Sequence, residues 1–357
     1  MITRAFWRGR RVLLTGHTGF KGAWACAMLH RLGADVTGYS LDPPTTPSLF
    51  AMARIGDVVR DLRGDVRDFE SLSRAMREAR PDIVIHMAAQ SLVRESYATP
   101  VETWATNVMG SVHVLEAARL ASARVVVMVA TDKCYENDGA GGAFIECDPL
   151  GGRDPYSGSK AASEIAVASW RDTFLRDAGV AVCSARAGNV IGGGDFAADR
   201  IVPDAVRAFQ SGAALEVRSP RAVRPWQHVL EPLAGYLALA ERAFDEPSFA
   251  GAWNFGPGRE SEQDVETLVT QACAIWGEGA SWRRDARAHP HEAPILRLDA
   301  TKARERLDWS CRLSFRETLQ WSFGFYRECA RGDAAALMQS QIDAYLQRAE
   351  ATACASC

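Results

Sequence analysis

The sequence predicts a doubly wound α/β fold, with a parallel sheet in the first half of the chain and a smaller mixed α/β lobe after it. Three observations predict it. Short apolar runs alternate with helical patterns from residue 11 to about residue 186, and such alternation demands crossover connections that leave neighbouring strands parallel. The run 82–87 (Asp-Ile-Val-Ile-His-Met) is apolar nearly throughout, as a strand covered on both faces must be. Beyond Ala187 the alternation gives way to a glycine cluster at 192–194, prolines at 220 and 225, and intermittent helices.

In order, residues 11–15 form the first strand, a glycine loop follows, and residues 23–32 form a helix that Gly33 stops. Residues 35–39 and 58–62 read as the second and third strands, 69–79 as a helix, and 82–87 as the fourth strand. A helix over 103–120, a strand over 124–130, a helix over 157–175 and a strand over 180–185 complete the sheet region. Helices are expected at 265–275, 302–307 and 315–328. The division expected is residues 1–186 for the sheet domain, with part of 227–250 returning to it, and 187–226 with 251–357 for the lobe.

Bulk properties narrow the function classes. At 357 residues, 47% hydrophobic and 24% charged, the chain can bury a substantial core. A net charge of -3 argues against a general nucleic-acid binder. No apolar run approaches the roughly 20 residues of a membrane helix. Arg4, Arg8, Arg10 and Arg11 are followed only by Val12, Leu13 and Leu14 before Thr15 and Gly16, too short for an export signal, so the cytoplasm is the expected location. Nine scattered cysteines read as reduced thiols, and the Cys354–Cys357 pair at the tail is assigned no function and no metal.

The chemistry-bearing motifs sit where such a sheet binds ligands. Thr15-Gly16-His17-Thr18-Gly19-Phe20-Lys21-Gly22 joins the first strand to the first helix, where small residues let a pyrophosphate approach the backbone and the helix N-terminus offers N–H groups. Asp65, after the third strand, suits an adenine amino group, and Ala88-Ala89, after the fourth, leave room for a cofactor. This makes the sheet a Rossmann-type dinucleotide domain. Tyr156 and Lys160 lie one helical turn apart, so the ammonium is expected to favour the phenolate and lower the tyrosine pKa. Tyr156 would then take a proton from a substrate hydroxyl. Thr131-Asp132-Lys133 closes the fifth strand, adding a hydroxyl, an acid and a base. Asp42 arrives just after the second strand and favours NAD over NADP. Arg200 and Arg224 in the lobe suit a diphosphate.

Taken together these motifs resemble the extended short-chain dehydrogenases, and within them the nucleotide-sugar 4,6-dehydratases. The resemblance runs through residues 12–22 (VLLTGHTGFKG), 41–50 (LDPPTTPSLF), 86–90 (HMAAQ), 100–110 (PVETWATNVMG), 131–137 (TDKCYEN), 148–160 (DPLGGRDPYSGSK), 186–196 (RAGNVIGGGDF) and 224–232 (RPWQHVLEP). Related dehydratases of dTDP-glucose carry Thr-Asp-Glu where this chain has Thr131-Asp132-Lys133, and epimerases carry neither acid nor base there. The resemblance as a whole implies a CDP-hexose substrate. It also implies Gly16, Thr18, Gly19, Phe20, Gly22, Asp65, Val66, Ala88, Ala89 and Asn107 on the cofactor side, with Tyr156 and Lys160. Gln90, Asn189, Arg200, Arg224, Asn254 and His291 are implied on the substrate side. The implied reaction has Tyr156 taking the O4 proton, Lys133 the C5 proton, and Asp132 protonating the departing C6 hydroxyl. A homodimer through helices 103–120 and 157–175 is implied as well. Residues 138–144 (DGAGGAF) depart from the family pattern, which bears on the fit of the sugar. An epimerase, a dehydratase of another nucleotide and a non-catalytic dinucleotide-binding regulator remain as alternatives; Asp132 and Lys133 argue against the first, and the intact Tyr156–Lys160 pair against the last.

Overall fold

The computed structural model describes residues 2–139, 141–287, 295–330 and 332–355. Its centre is a seven-stranded parallel sheet: β1 (Arg11–Thr15), β2 (Asp35–Ser40), β3 (Arg60–Arg63), β4 (Ile83–His86), β5 (Val125–Thr131), β6 (Ala181–Ala187) and β7 (Gly251–Phe255). The spatial order β3-β2-β1-β4-β5-β6-β7 reverses direction beside β1, which puts the ligand crevice at the carboxyl ends of β1 and β4. Register follows from the apolar pattern, with Val12 opposite Val36 on one side and Ile83 on the other.

Both faces of the sheet are covered, so alternate residues of one strand enter different cores. Val12 and Leu14 pack with Trp24, Met28 and Leu29 of α1 (Phe20–Leu32), whereas Leu13 packs with Leu72 and Met76 of α2 (Phe69–Ala79). Val125 and Val127 of β5 likewise join the first core, and Val126 and Met128 the second. The lobe has its own core, in which Val202, Val206 and Phe209 meet Leu268, Leu319 and Phe323.

Most expected elements are present, and the differences have physical causes. The third strand starts at Arg60 instead of 58, because Arg54 turns left-handed and Ile55–Asp57 make a tight helical turn first. At the sheet edge an Arg-Asp-Leu-Arg strand is tolerated, so hydrophobicity was a poor guide to its start. The helix expected from 103 begins at Pro100 and passes through a wider turn at Ala105–Met109 into α3 (Gly110–Leu120). The helix expected from 157 begins at Pro155, with Asp154 Oδ1 accepting from the Ser157 amide at 2.9 Å, and is α4 (Pro155–Trp170). Three long helices went unread, Ile201–Gln210, α5 (Leu230–Asp245) and Ala334–Ala355, and β7 extends the sheet from the stretch after α5.

Cys26, Cys134, Cys147, Cys183, Cys273, Cys311 and Cys329 are free thiols, and Cys357 lies outside the described residues. Among the described residues no helix is long and apolar enough to cross a membrane, and no cluster of metal-ligating side chains occurs.

Candidate active site

A cleft of about 1950 Å³ opens between the carboxyl ends of the strands and the lobe. Its cofactor half is built on the glycine loop. Gly16 has φ +80, and a Cβ there would stand 2.7 Å from the Ala88 amide nitrogen, so β1 and β4 approach this closely only with glycine. At Gly22 a Cβ would stand 2.1 Å from the Gly16 carbonyl oxygen, which seats the first turn of α1 on the loop. Gly19 caps α1 without a side-chain hydrogen bond, leaving backbone N–H groups for an anion. Thr18 Oγ1 is 2.9 Å from Ser40 Oγ and donates to the Leu41 carbonyl at 3.0 Å, tying the loop to the end of β2. Gly16, Thr18, Gly19, Phe20, Gly22, Val66, Ala88 and Ala89 all line the cleft. This cradle fits the pyrophosphate of a dinucleotide.

Two cofactor-side residues act less directly than expected. Asp65 lines the cleft, but its carboxylate is gripped by Arg67, with Nη2 at 2.6 Å, and this hydrogen bond holds the carboxyl below its usual range. Asn107 is buried away from the cleft wall. Its Oδ1 accepts from the Gln90 amide at 2.9 Å and its Nδ2 donates to the Gln90 carbonyl and Ser159 Oγ, so it fixes the loop after β4 against α4.

The reacting groups meet at the end of β5. Tyr156 and Lys160 share one face of α4, both are buried, and both line the cleft. Lys160 Nζ donates to the Val129 carbonyl at 3.3 Å. Burial pushes the Lys160 ammonium down to about 8, with Glu164 opposing the shift. The expectation of a lowered tyrosine is corrected: burial pushes the Tyr156 phenol up to about 12, and the hydrogen bond with Thr131 offsets this only in part. Thr131 Oγ1 also donates to Asp132 Oδ1 at 3.0 Å and accepts from the Lys133 amide at 3.3 Å. Asp132 is 1% exposed, and its Oδ2 has no hydrogen-bond partner. Lys133 Nζ stands 3.5 Å from Asp132 Oδ1 and is partly exposed to the cleft. One hydroxyl therefore touches both the tyrosine and the acid, and the acid touches the amine.

On the substrate side, Asn189, Arg200 and Arg224 line the cleft as expected. Asn189 Oδ1 is buried with no hydrogen-bond partner, consistent with a group awaiting a donor from a ligand. Arg200 reaches Asp195 Oδ2 and Ser91 Oγ, each at 2.8 Å. Gln90 and Asn254 depart from expectation. The Gln90 side chain turns into its own loop, donating to the Leu92 carbonyl and Thr103 Oγ1 and accepting from the Leu92 amide, so it shapes the wall without facing a sugar. Asn254 is fully buried behind the site; its Oδ1 accepts from Tyr135 Oη at 2.7 Å and its Nδ2 donates to the Phe144 and Asp299 carbonyls. His291 lies outside the described residues.

Sequence reasoning missed several groups. Lys21 was quoted in the glycine loop without a role, yet it lines the cleft, and burial together with Arg200 and Lys160 pushes it down to about 7. A buried network behind Lys160 was missed too: Arg186 Nη2 donates to Glu164 Oε2 at 2.7 Å, and its Nη1 donates to Tyr135 Oη at 2.8 Å. The spacing of Glu164 one turn after Lys160 was the available signal. Phe144, at the end of the divergent 138–144 loop, stacks on Tyr135 with centroids 4.9 Å apart.

Sheet order, glycine loop and tyrosine–lysine helix define an extended short-chain dehydrogenase of the NAD-dependent epimerase/dehydratase class. A family profile described as GDP-mannose 4,6 dehydratase matches residues 13–321, and the chain belongs to that family. A CDP-glucose 4,6-dehydratase of Salmonella typhimurium is 46% identical over 340 residues, covering 93% of this chain and 95% of the relative. Among solved structures, an epimerase from Methanothermobacter thermautotrophicus superposes with a TM-score of 0.79 at 23% identity, covering 91% of this chain and 94% of its own. A dTDP-glucose 4,6-dehydratase of Streptomyces venezuelae, solved with NAD bound, gives a TM-score of 0.75 at 25% identity, covering 89% of this chain and 97% of its own.

Proposed function

We propose that this protein dehydrates CDP-D-glucose to CDP-4-keto-6-deoxy-D-glucose with NAD as a recycled cofactor. The observation that carries the reading is the Asp132–Lys133 contact of 3.5 Å at the end of β5, beside a Thr131 hydroxyl that also holds Tyr156. An epimerase needs a group to exchange the O4 proton; elimination of water also needs a base for C5 and an acid for the C6 oxygen. The identity of the nucleotide and sugar is supported by the Salmonella relative.

When bound on the glycine loop, NAD supplies a site that accepts hydride from C4 and returns it to C6. The protein's own groups move the protons. Tyr156, hydrogen-bonded to Thr131 and one helical turn from Lys160, takes the O4 proton as the C4 ketone forms. That ketone acidifies C5–H, and Lys133 takes the C5 proton. Asp132 gives a proton to the C6 oxygen, which leaves as water while the C5–C6 double bond forms. With hydride returned to C6, Lys133 would give the proton back to C5, leaving the 4-keto-6-deoxy sugar.

The preference for NAD over NADP is supported by Asp42, which lines the cleft after β2 and disfavours a phosphate on the ribose. Pairing of two copies through the helices 100–120 and 155–175 is supported by exposed apolar side chains on them, Val101, Trp104, Ile165 and Phe174. Sedimentation showing a monomer at micromolar concentration would remove that part of the reading. The function is tested by incubating protein and NAD with CDP-, dTDP-, UDP- and GDP-hexoses separately and following product mass. Loss of one water from CDP-glucose alone is expected; an isobaric change, or water loss only from another nucleotide sugar, would overturn it.

A further inference from the structure

Two arginines from opposite walls of the cleft converge on a single carboxylate oxygen. Arg94 belongs to the short helix Val93–Ala98 after β4, and its Nη1 donates to Asp199 Oδ1 at 2.9 Å. Arg218 follows the lobe strand Leu215–Val217, and its Nη1 donates to the same oxygen at 2.8 Å. All three side chains line the cleft. Asp199 is also one of the few non-glycine residues in the left-handed region, with φ +60. Aspartate tolerates that conformation better than most residues, yet at a cost that the surrounding contacts must offset. The next residue, Arg200, joins the lobe to Ser91 of the sheet domain, so residues 199 and 200 cross the cleft mouth side by side.

We propose that Arg94 and Arg218 are substrate-binding residues for the diphosphate, and that Asp199 is an internal anion which holds them until the diphosphate displaces it. The proposal rests on the nucleotide-sugar reading above. Its logic is competition. A diphosphate offers several charged acceptors to two guanidinium groups, whereas Asp199 offers one oxygen shared between them. Whatever is spent breaking the two Asp199 bonds is subtracted from the affinity of the ligand. Without a ligand the carboxylate screens two like charges from each other and joins the two walls; with a ligand the diphosphate would take over both tasks. Arg200 and Arg224, already placed in the cleft, would complete the positive arc.

The test measures binding rather than turnover, using CDP, inorganic pyrophosphate and cytidine as calorimetric probes of the full chain. Asp199→Asn keeps the size and the tolerance for φ +60 but removes the charge. It is expected to tighten CDP and pyrophosphate about three- to tenfold, most at low salt, and to leave cytidine unchanged. Arg94→Met and Arg218→Met are expected to weaken both anions, and either change added to Asp199→Asn should abolish the gain. Should Asp199→Asn fold poorly, Asp199→Gly removes the same charge and suits the backbone better. CDP affinity unchanged or weakened in a folded, NAD-binding variant without the Asp199 charge would overturn the proposal. If CDP-glucose is not dehydrated but the anion series behaves as described, the substrate reading falls and this site stands.

Discussion

Replacing Glu164 by glutamine removes one charge from a position two layers behind the substrate, and its consequences divide cleanly. Glu164 is 4% exposed, and its Oε2 accepts from Arg186 Nη2 at 2.7 Å and from Ser184 Oγ at 2.8 Å. Arg186 is equally buried, held otherwise by the Tyr135 hydroxyl and the Glu146 carbonyl. Removing one partner of a buried pair costs about 3–5 kcal/mol, because the surviving charge loses its counter-ion. Glutamine still accepts from Arg186 and Ser184, which brings the expected loss to about 2–4 kcal/mol, a charged hydrogen bond being worth about 1.5–3. For a chain of this size that is a fall of roughly 3–5 °C in melting temperature. The second consequence is on activity. Glu164 raises the Lys160 pKa against the effect of burial. Without it the ammonium is lost at lower pH, so the fall in kcat on the alkaline side should begin at lower pH than in the wild type. Calorimetry and a kcat–pH profile read the two effects separately. A variant with wild-type melting and an unmoved alkaline limb would refute the reasoning; Glu164→Asp should restore the limb in part.

Asp132→Asn should leave O4 oxidation intact but slow water loss by about 10²- to 10⁴-fold, seen by mass spectrometry as a 4-keto sugar that keeps its C6 oxygen. In the wild type, Lys160 sits at about 8, so activity that needs its ammonium should be full below that value and fall as pH rises through it. Lys160→Arg, permanently cationic, should be slower but flat over the same range in a kcat–pH titration. Val101→Glu with Ile165→Glu should give monomers by sedimentation if the apolar helix pair is the contact between copies.

The sheet and its ligand edge were legible because the central strands of the first half, β1, β4, β5 and β6, carry apolar runs and several end in a distinctive group. Gly16, Ala88 and Thr131 close β1, β4 and β5 on the same side, and parallel topology brings them together whatever the intervening helices do. The second half of the chain was not legible in the same way. The helix Leu230–Asp245 is apolar almost all round because it lies between the sheet and the tail, with Leu233, Tyr236 and Leu237 buried, so it lacks the one-sided pattern that periodicity detects. Residue roles failed where a polar side chain could face either way. Asn254 and Gln90 match a ligand-binding pattern by position, but strand pairing turns the first into the Tyr135 network and a tight loop consumes the second. The Tyr156 shift failed for a related reason: spacing along a helix places Lys160 one turn away, while the depth of burial, which pushes the phenol up, is a property of the folded cleft.

The central claim is that hydride leaves C4 and returns to C6 of one sugar while water is lost between them. The most direct measurement uses CDP-glucose carrying deuterium at C4, incubated with the protein and unlabelled NAD, with the product mapped by NMR. The account predicts a 4-keto-6-deoxy product with the deuterium on C6. Deuterium restored to C4, or lost from the sugar altogether, would contradict it.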